Sequence, residues 1–165
     1  MAIVTENGTG KADAESYITV AAADTRHAAF GNTAWAALDT AAKESALRNA
    51  TAYMLQSFRS RWTGFRVLLT QSLDWPRWQV VVDGFYIPSD AVPAEIANAC
   101  ADLALRASTE TLAADLTRGI VREKVGPIET EFDPFSPQQT RYRAVDMMLA
   151  PYLKGSSSMA TLVRA

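Results

Sequence analysis

The stretch Gln71-Ser72-Leu73-Asp74-Trp75-Pro76-Arg77 stands between two helical patterns and decides how the chain folds. A proline disfavours helical geometry in the residue before it, so Pro76 holds Trp75 in an extended conformation and the chain turns there. A tryptophan has enough apolar surface to anchor such a turn in a core. We therefore predict a structural elbow formed by Gln71, Trp75, Pro76 and Arg77, in which Arg77 points toward an acidic or carbonyl partner.

Helical patterns precede this elbow. Thr19 is a suitable N-cap for a short helix over residues 21–30. Asp39 caps a longer helix, which we expect to end at Gly64. Its apolar residues recur at steps of three or four and predict one buried face: Leu47, Ala50, Met54 and Phe58.

Strand and helix patterns alternate after the elbow. Asp83-Gly84 separates two β-prone runs and predicts a hairpin. Pro93 suits the first turn of an alanine-rich, buried helix. Residues 120–125 and 128–132 flank Gly126-Pro127 and predict a second β-ribbon with alternating charge. A last amphipathic helix ends near Pro151.

These segments predict a mainly α fold, a small helical bundle with one or two β-hairpins and flexible N- and C-terminal arms. Residues 1–15 are small, polar and glycine-rich, which predicts a flexible N-terminal arm or an extended segment. Residues 16–153 form the helical domain. Residues 154–165 form a tail, in which a Gly-Ser-Ser-Ser linker at 155–158 precedes an apolar run at 159–165.

Composition and charge are those of an ordinary globular protein, with 48% hydrophobic and 21% charged residues. A net charge of −2 gives no global attraction to nucleic acid, although it is compatible with a local basic patch. No apolar run approaches the ~18 residues of a membrane span, and the N-terminus has no signal-peptide pattern. We expect the protein in the cytoplasm or in a particle assembled there.

Residues that catalysis or metal binding needs are scarce, since the chain has one histidine and one cysteine. His27, three residues after Asp24, has no marked nucleophile and is expected to face solvent or cap its helix. Cys100 is expected in the core. Gly8-Thr9-Gly10-Lys11 lacks the first glycine and the final Ser/Thr of a phosphate-binding loop. We predict no catalytic, cofactor-binding or metal-binding residue, and hence no enzyme.

Arginines and aromatic residues interleave between residues 58 and 78. The members are Arg59, Arg61, Arg66 and Arg77 with Phe58, Trp62, Phe65, Trp75 and Trp78. Such a mixture can stack bases and contact phosphates, as single-strand binders do. Alternatively, the aromatic residues form core and the arginines pair with acids or partner subunits. The slightly acidic net charge favours the second interpretation.

The order of features along residues 16–153 resembles the head–tail adaptor (connector) proteins of tailed bacteriophages. Some of their relatives carry the name DnaT-like single-stranded-DNA-binding protein. The most specific matching piece is Gln71-x-Leu73-x-Trp75-Pro76-Arg77. Further pieces support it: Ser16-Tyr17-Ile18-Thr19, Trp35, the helix at 44–51, Phe65-Arg66, Ile87-Pro88, Val92-Pro93 and Val125-Gly126-Pro127-Ile128.

The resemblance implies a structural virion protein without catalytic residues, cofactor or membrane contact. Adaptors of this kind form a homo-oligomeric ring, usually of about twelve copies, under the portal protein. The ring extends the DNA channel and docks the next tail-completion (stopper or tail) protein. The chain would act at the head–tail interface of the virion after assembly in the host cytoplasm. Subunits with a net charge of −2 would let genomic DNA pass through the lumen without specific binding.

A ring closes through different patches on two sides of each subunit. The candidates for subunit contacts are the charged residues of the second ribbon, Arg122, Glu123, Lys124, Glu129 and Glu131; a solvated ribbon is the alternative. The candidates for portal binding lie in the apolar tail and are Met159, Leu162, Val163 and Arg164; a frayed terminus is the alternative. The rival function is a single-stranded-DNA-binding protein of phage origin.

Overall fold

The computed structural model describes residues 2–114, 120–125, 128–132 and 140–155, and gives only the backbone for residues 120–125 and 128–132. Its helices are α1 (Val20–Ala29), α2 (Thr33–Ala36), α3 (Thr40–Phe58), α4 (Ala94–Ala107) and α5 (Arg143–Leu149), with a 3₁₀ turn at Ala150–Tyr152. Its strands are β1 (Phe65–Arg66), β2 (Arg77–Trp78), β3 (Val81–Val82), β4 (Phe85–Tyr86), β5 (Ile120–Val125) and β6 (Ile128–Phe132). The predicted fold class, mainly α with β-hairpins, is confirmed.

Side-chain caps begin the helices α1 and α3, as predicted. The Thr19 side chain accepts a hydrogen bond from the amide of Ala22, and Asp39 accepts one from the amide of Ala42 at 2.7 Å. The predicted end of α3 at Gly64 is wrong, because the helix ends at Phe58 and a turn follows. The short helix α2 was not predicted.

The core lies between α3 and α4, with α1 and α5 packed around them. Every residue of the predicted α3 face is buried: Leu47, Ala50, Met54 and Phe58. Helix α4 buries a surface made largely of small residues, which lets α3 approach its backbone. Burying each large apolar side chain contributes about 1.5–3 kcal/mol of free energy. No helix of the described residues has both the length and the apolar character that a bilayer crossing requires.

Within the described residues, three antiparallel strand pairs accompany the helices. The hairpin β3–β4 turns at Asp83 and Gly84, whose φ angles of 52° and 84° suit the tight turn that the Asp-Gly pair predicts. The second predicted ribbon is β5–β6. The third pair, β1–β2, places Phe65 opposite Trp78 and was not predicted.

The N-terminal segment is anchored on the domain. Of the two forms expected for residues 1–15, a flexible arm or an extended segment, the described residues 2–15 take the extended one. Thr5 pairs with Ser16 in a parallel bridge, and Lys11 accepts a hydrogen bond from the amide of Ser72 at 3.0 Å. At Gly8, whose φ is +100°, a Cβ would come within 1.9 Å of the Asp90 carbonyl oxygen. Only glycine allows this close approach.

Candidate interaction surface

The elbow is held by a buried glutamine. The Oε1 atom of Gln71 accepts a hydrogen bond from the amide of Leu68 at 2.9 Å. Its Nε2 atom donates to the carbonyl oxygens of Leu73 at 2.8 Å and Pro76 at 3.1 Å, which follows a cis Trp75–Pro76 bond. One side chain therefore fixes both ends of the turn, since it satisfies backbone groups that no regular element pairs.

The elbow tryptophan lies inside an aromatic cluster. Trp75 is fully buried, and its ring meets the rings of Trp62 and Tyr152 edge to face at centroid distances of 5.8 and 5.6 Å. Phe58 packs against Trp62 at 5.8 Å. Three of the five aromatic residues in the arginine-rich stretch thus belong to the core.

Arg77 also makes its hydrogen bonds within the domain. Its guanidinium donates hydrogen bonds to the carbonyl oxygens of Thr63 and Gly64, each at 2.7 Å, and of Asp74 at 3.2 Å. Burial lowers the pKa of the Arg77 guanidinium, and the nearby Asp74 carboxylate opposes that shift. Arg77 is therefore a structural residue and has no donor fork turned toward a phosphate.

Apolar side chains collect on the outside of the strands beside this elbow. Of the ten large hydrophobic residues exposed in the described part of the chain, eight lie between residues 65 and 86. We call them the hairpin surface: Phe65, Val67, Leu68, Leu69, Trp78, Val81, Phe85 and Tyr86. Leu69, Tyr86 and Phe85 are 94%, 79% and 76% exposed. Apolar patches of this kind mark interaction sites in soluble proteins.

Backbone geometry explains why the hairpin surface faces outward. Val80 is buried and Val81 exposed, as expected for neighbours on an extended chain. Phe65 and Trp78 contact each other at a centroid distance of 5.7 Å. At Gly64, which has φ +64°, a Cβ would come within 2.3 Å of the Trp78 carbonyl oxygen. This close approach brings the start of β1 against β2.

Positively charged residues occur in the same stretch of the chain as the Phe65–Trp78 pair. Arg66 follows Phe65 in β1, and its Nε atom is buried. The guanidinium of the exposed Arg61 lies 5.4 Å from the ring centroid of Phe58, which belongs to the core. Nζ of Lys154 lies 3.4 Å from the carbonyl oxygen of Ser60. Arg66 is thus the cation next to the aromatic pair along the chain.

In the ribbon β5–β6, positively charged residues of β5 are paired in register with negatively charged residues of β6. Arg122 is the partner of Glu131, and Lys124 is the partner of Glu129, whereas Glu123 faces Thr130. In the described residues the ribbon is a two-stranded sheet with no third strand. Its side chains lie outside the described part, so its role in subunit contacts stays a prediction.

The tail begins beside the strand β1. The carbonyl oxygen of Tyr152 accepts hydrogen bonds from the amide and hydroxyl of Thr63 at 3.0 and 2.9 Å. The amide of Lys154 donates to the carbonyl oxygen of Arg61 at 2.7 Å. The portal-binding candidates lie outside the described residues: Met159, Leu162, Val163 and Arg164.

The interpretation of His27 as solvent-facing is wrong, because the ring is 1% exposed. Nε2 lies 3.1 Å from the carbonyl oxygen of Ala101, and Nδ1 lies 3.0 Å from the Asn32 side-chain nitrogen, which fits the tautomer protonated at Nε2. Burial lowers the pKa of His27. Asp24 instead accepts a hydrogen bond from the Trp35 indole at 2.7 Å and pairs with Lys43, so no His–Asp pair forms here.

Cys100 is buried as predicted, and burial raises the pKa of its thiol. A low-pKa, accessible thiolate is what cysteine chemistry requires, and Cys100 has neither property. Among the described residues, no group of three or more His, Cys, Asp or Glu side chains is placed to hold a metal ion.

The backbone amides of the loop Gly8-Thr9-Gly10-Lys11 bind a carboxylate of the same chain, that of Glu6. Oε1 of the buried Glu6 accepts hydrogen bonds from the amides of Gly8 and Gly10, each at 2.9 Å, and Oε2 accepts one from Lys11 at 2.8 Å. The amides that would cradle a phosphate are thus occupied. The loop anchors the N-terminal segment.

Sequence reasoning did not locate the hairpin surface. The Arg-aromatic stretch was treated as one unit, whereas the fold sends Trp62 and Trp75 inward and Phe65 and Trp78 outward. One signal was available: the run Val67-Leu68-Leu69 matches neither a helical nor an alternating apolar pattern.

Comparison with protein families gives a match over the full length of the chain. The family model described as "Putative DnaT-like ssDNA binding protein" matches residues 1–165, which is the whole chain. No curated protein and no solved structure matches.

Proposed function

The chain belongs to the DnaT-like ssDNA binding protein family, and within that family we propose that it is a non-enzymatic assembly subunit, the head–tail adaptor of a tailed bacteriophage. It forms a homo-oligomeric ring of about twelve copies under the portal protein. The ring extends the DNA channel and docks the tail-completion protein at the head–tail interface of the virion. Genomic DNA passes through the lumen without specific binding.

The observation that carries this proposal is the hairpin surface. It combines four aromatic residues with the aliphatic residues Val67, Leu68, Leu69 and Val81. Aliphatic side chains bury well against another protein, but they offer no ring for a base to stack on. A subunit that meets neighbours on two sides needs such a patch, because a ring closes through heterologous contacts.

Two further segments have parts in the proposed ring. The ribbon β5–β6 supplies the second contact with a neighbouring subunit, through unpaired strand edges and the charges of residues 122–124, 129 and 131. The tail with Met159, Leu162, Val163 and Arg164 extends to the portal, where it exchanges conformational entropy for buried apolar area.

The test is the mass of the purified chain, alone and with a portal protein, measured by light scattering. We expect a ring in the presence of the portal, and loss of that ring in the variant Phe85→Ser. The matched control is Phe30→Ser, because Phe30, the residue after α1, is similarly exposed (68% against 76%) but lies outside the hairpin surface. Equal assembly of the two variants, or no assembly of the wild type, contradicts the proposal.

Single-stranded DNA binding is a second candidate. Two observations favour it: the description of the family, and the exposed Phe65–Trp78 pair in a stretch of chain that also holds the exposed Arg61. Aromatic stacking with neighbouring cations is how single-strand binders hold DNA. Against it stand the net charge of −2 and the burial of Arg77, Trp62 and Trp75 in the fold.

Salt-dependent binding to a labelled oligonucleotide distinguishes the two functions. Phosphate contacts make the affinity fall steeply with salt, and the variants Trp78→Ala and Arg61→Ala would abolish such binding. The control is Arg106→Ala, since Arg106 is exposed on α4, outside the arginine–aromatic stretch at residues 58–78. Weak binding that these variants leave unchanged favours the adaptor.

A further inference from the structure

We propose that the hairpin surface binds the tail of its own chain, residues 159–163, while the protein is free. The inference rests on the proposed function in one respect, which is that the portal later binds the tail. Its evidence is separate, and consists of the exposed apolar residues, the place where the chain leaves the described structure, and the sequence of the tail.

Hydrogen bonds fix the start of the tail next to the hairpin surface. Leu153 pairs with Trp62 in an antiparallel bridge, and the amide of Lys154 donates to Arg61. Trp62 is three residues before Phe65, the first member of the surface. An extended chain spans at most about 3.3–3.6 Å per residue, so the edge of the surface lies within roughly 10 Å of the anchored bridge.

The linker is long enough to cover that distance. Residues 155–158 are Gly-Ser-Ser-Ser and reach up to about 13 Å when extended. Met159, the first apolar residue after the linker, can therefore reach the Phe65–Trp78 pair. A linker this short holds the tail at an effective concentration in the millimolar range, which favours the chain's own surface over that of a second copy.

The tail is chemically suited to the surface. Residues 159–163 are Met-Ala-Thr-Leu-Val and carry no charge. Met159 can contact the rings of Phe65 and Trp78 with its thioether, a favourable sulfur–aromatic arrangement. Leu162 and Val163 then cover aliphatic residues. The occupied state removes from water the patch that would otherwise make free subunits associate.

This arrangement determines the sequence of the assembly steps. A portal that takes residues 159–163 uncovers the hairpin surface, which then contacts the neighbouring subunit. Free subunits remain single, because the same tail residues mask the surface until the portal is present. The coupling requires only that the tail binds one site at a time.

Trp78 provides the test, since it is 46% exposed while Trp35, Trp62 and Trp75 are at most 1% exposed. Acrylamide quenching of tryptophan fluorescence therefore reports mainly on Trp78. We expect deletion of residues 156–165 to raise the quenching constant about twofold, as an apolar cover is lost. A synthetic peptide of residues 156–165 should restore the protection. The double variant L162S/V163S should behave like the deletion, and Ser157→Ala like the wild type.

Three outcomes overturn the inference. Equal quenching of the full and shortened chains shows that the tail does not cover Trp78. A quenching difference that persists in Trp78→Phe comes from another tryptophan. Protection that grows with protein concentration, together with the mass of a dimer, places the tail on a second copy.

The same samples separate this inference from the proposed function. If the shortened chain loses portal binding but its Trp78 is no more accessible, the adaptor function stands and the tail–surface contact is rejected. If Trp78 becomes accessible in a protein that never assembles with a portal, the contact stands without the adaptor function.

Discussion

The Nη2 atom of Arg77 lies 2.7 Å from the carbonyl oxygen of Gly64. This bond joins β2 to the residue that leads into β1. A second bond of 2.7 Å, from Nε to the carbonyl oxygen of Thr63, fixes the orientation of the guanidinium. Since Thr63 also donates a hydrogen bond to the carbonyl oxygen of Tyr152, the elbow, the strand pair β1–β2 and the start of the tail are fixed relative to one another.

Replacing Arg77 by lysine should destabilise the domain. Lysine keeps the positive charge but cannot donate to three carbonyl oxygens in a fixed fork, and buried acceptors that lose a charged donor cost about 1–3 kcal/mol. We expect a loss of about 2 kcal/mol in the free energy of unfolding, measured with urea. Arg61→Lys, at an exposed position, should change it by less than about 0.5 kcal/mol. Equal effects would contradict the structural role of Arg77.

The two tryptophans at the elbow should differ in their contribution to stability. Trp75→Ala removes a fully buried ring and should cost about 3–5 kcal/mol. Trp78→Ala removes a ring that is 46% exposed and should cost about 1 kcal/mol or less. Thermal and urea unfolding measure both. A loss below about 1 kcal/mol for Trp75→Ala would contradict the packing of Trp75 in the aromatic core.

Glu6→Gln should loosen the N-terminal segment. The carboxylate accepts hydrogen bonds from the backbone amides of Gly8, Gly10 and Lys11. The side-chain NH₂ group of glutamine would place a hydrogen-bond donor against these backbone donors. We expect a loss of about 2 kcal/mol in the free energy of unfolding and faster hydrogen exchange at these three amides. Asp13→Asn, at an exposed residue, is the control for the lost charge. Unchanged exchange in Glu6→Gln would contradict the anchoring.

Local signals predicted much of the fold. Thr19, Asp39 and the Asp83-Gly84 pair act within a few residues of their own position, so the sequence reveals the elements that they begin or turn. The apolar period of α3 likewise reports a face of one helix. Elements fixed by such local chemistry lie where the sequence predicts them.

Contacts between distant parts of the chain explain what was missed. His27 is buried because its ring meets the carbonyl oxygen of Ala101, which is 74 residues away. Trp62 and Trp78 look alike in sequence, yet Trp62 packs against Phe58 and Trp75 in the core, whereas Trp78 is partly exposed. Which face of a turn is covered depends on partners that residue type does not reveal. The hairpin surface could be recognised only from the fold.

The stretch that forms the elbow also contains a buried acidic residue, Asp74. Its carboxylate is 1% exposed, and its ion partner Arg59, at 3.7 Å, is itself more than half exposed. Burial raises the pKa of Asp74, while Arg59 and Arg77 oppose the shift. The ionised carboxylate is therefore less favourable in the folded protein than in the unfolded chain.

The stability of the domain should therefore depend on pH through Asp74. A carboxyl group whose folded pKa exceeds the unfolded value of about 3.9 stabilises the fold below pH 3.9. That contribution is lost as the pH rises through the folded pKa. The variant Asp74→Asn cannot ionise, so we expect its stability relative to the wild type to increase between about pH 4 and 7. Urea unfolding at each pH measures this difference, and Asp13→Asn corrects for the lost charge. A relative stability that falls across this range would mean that the arginines outweigh burial and lower the pKa of Asp74.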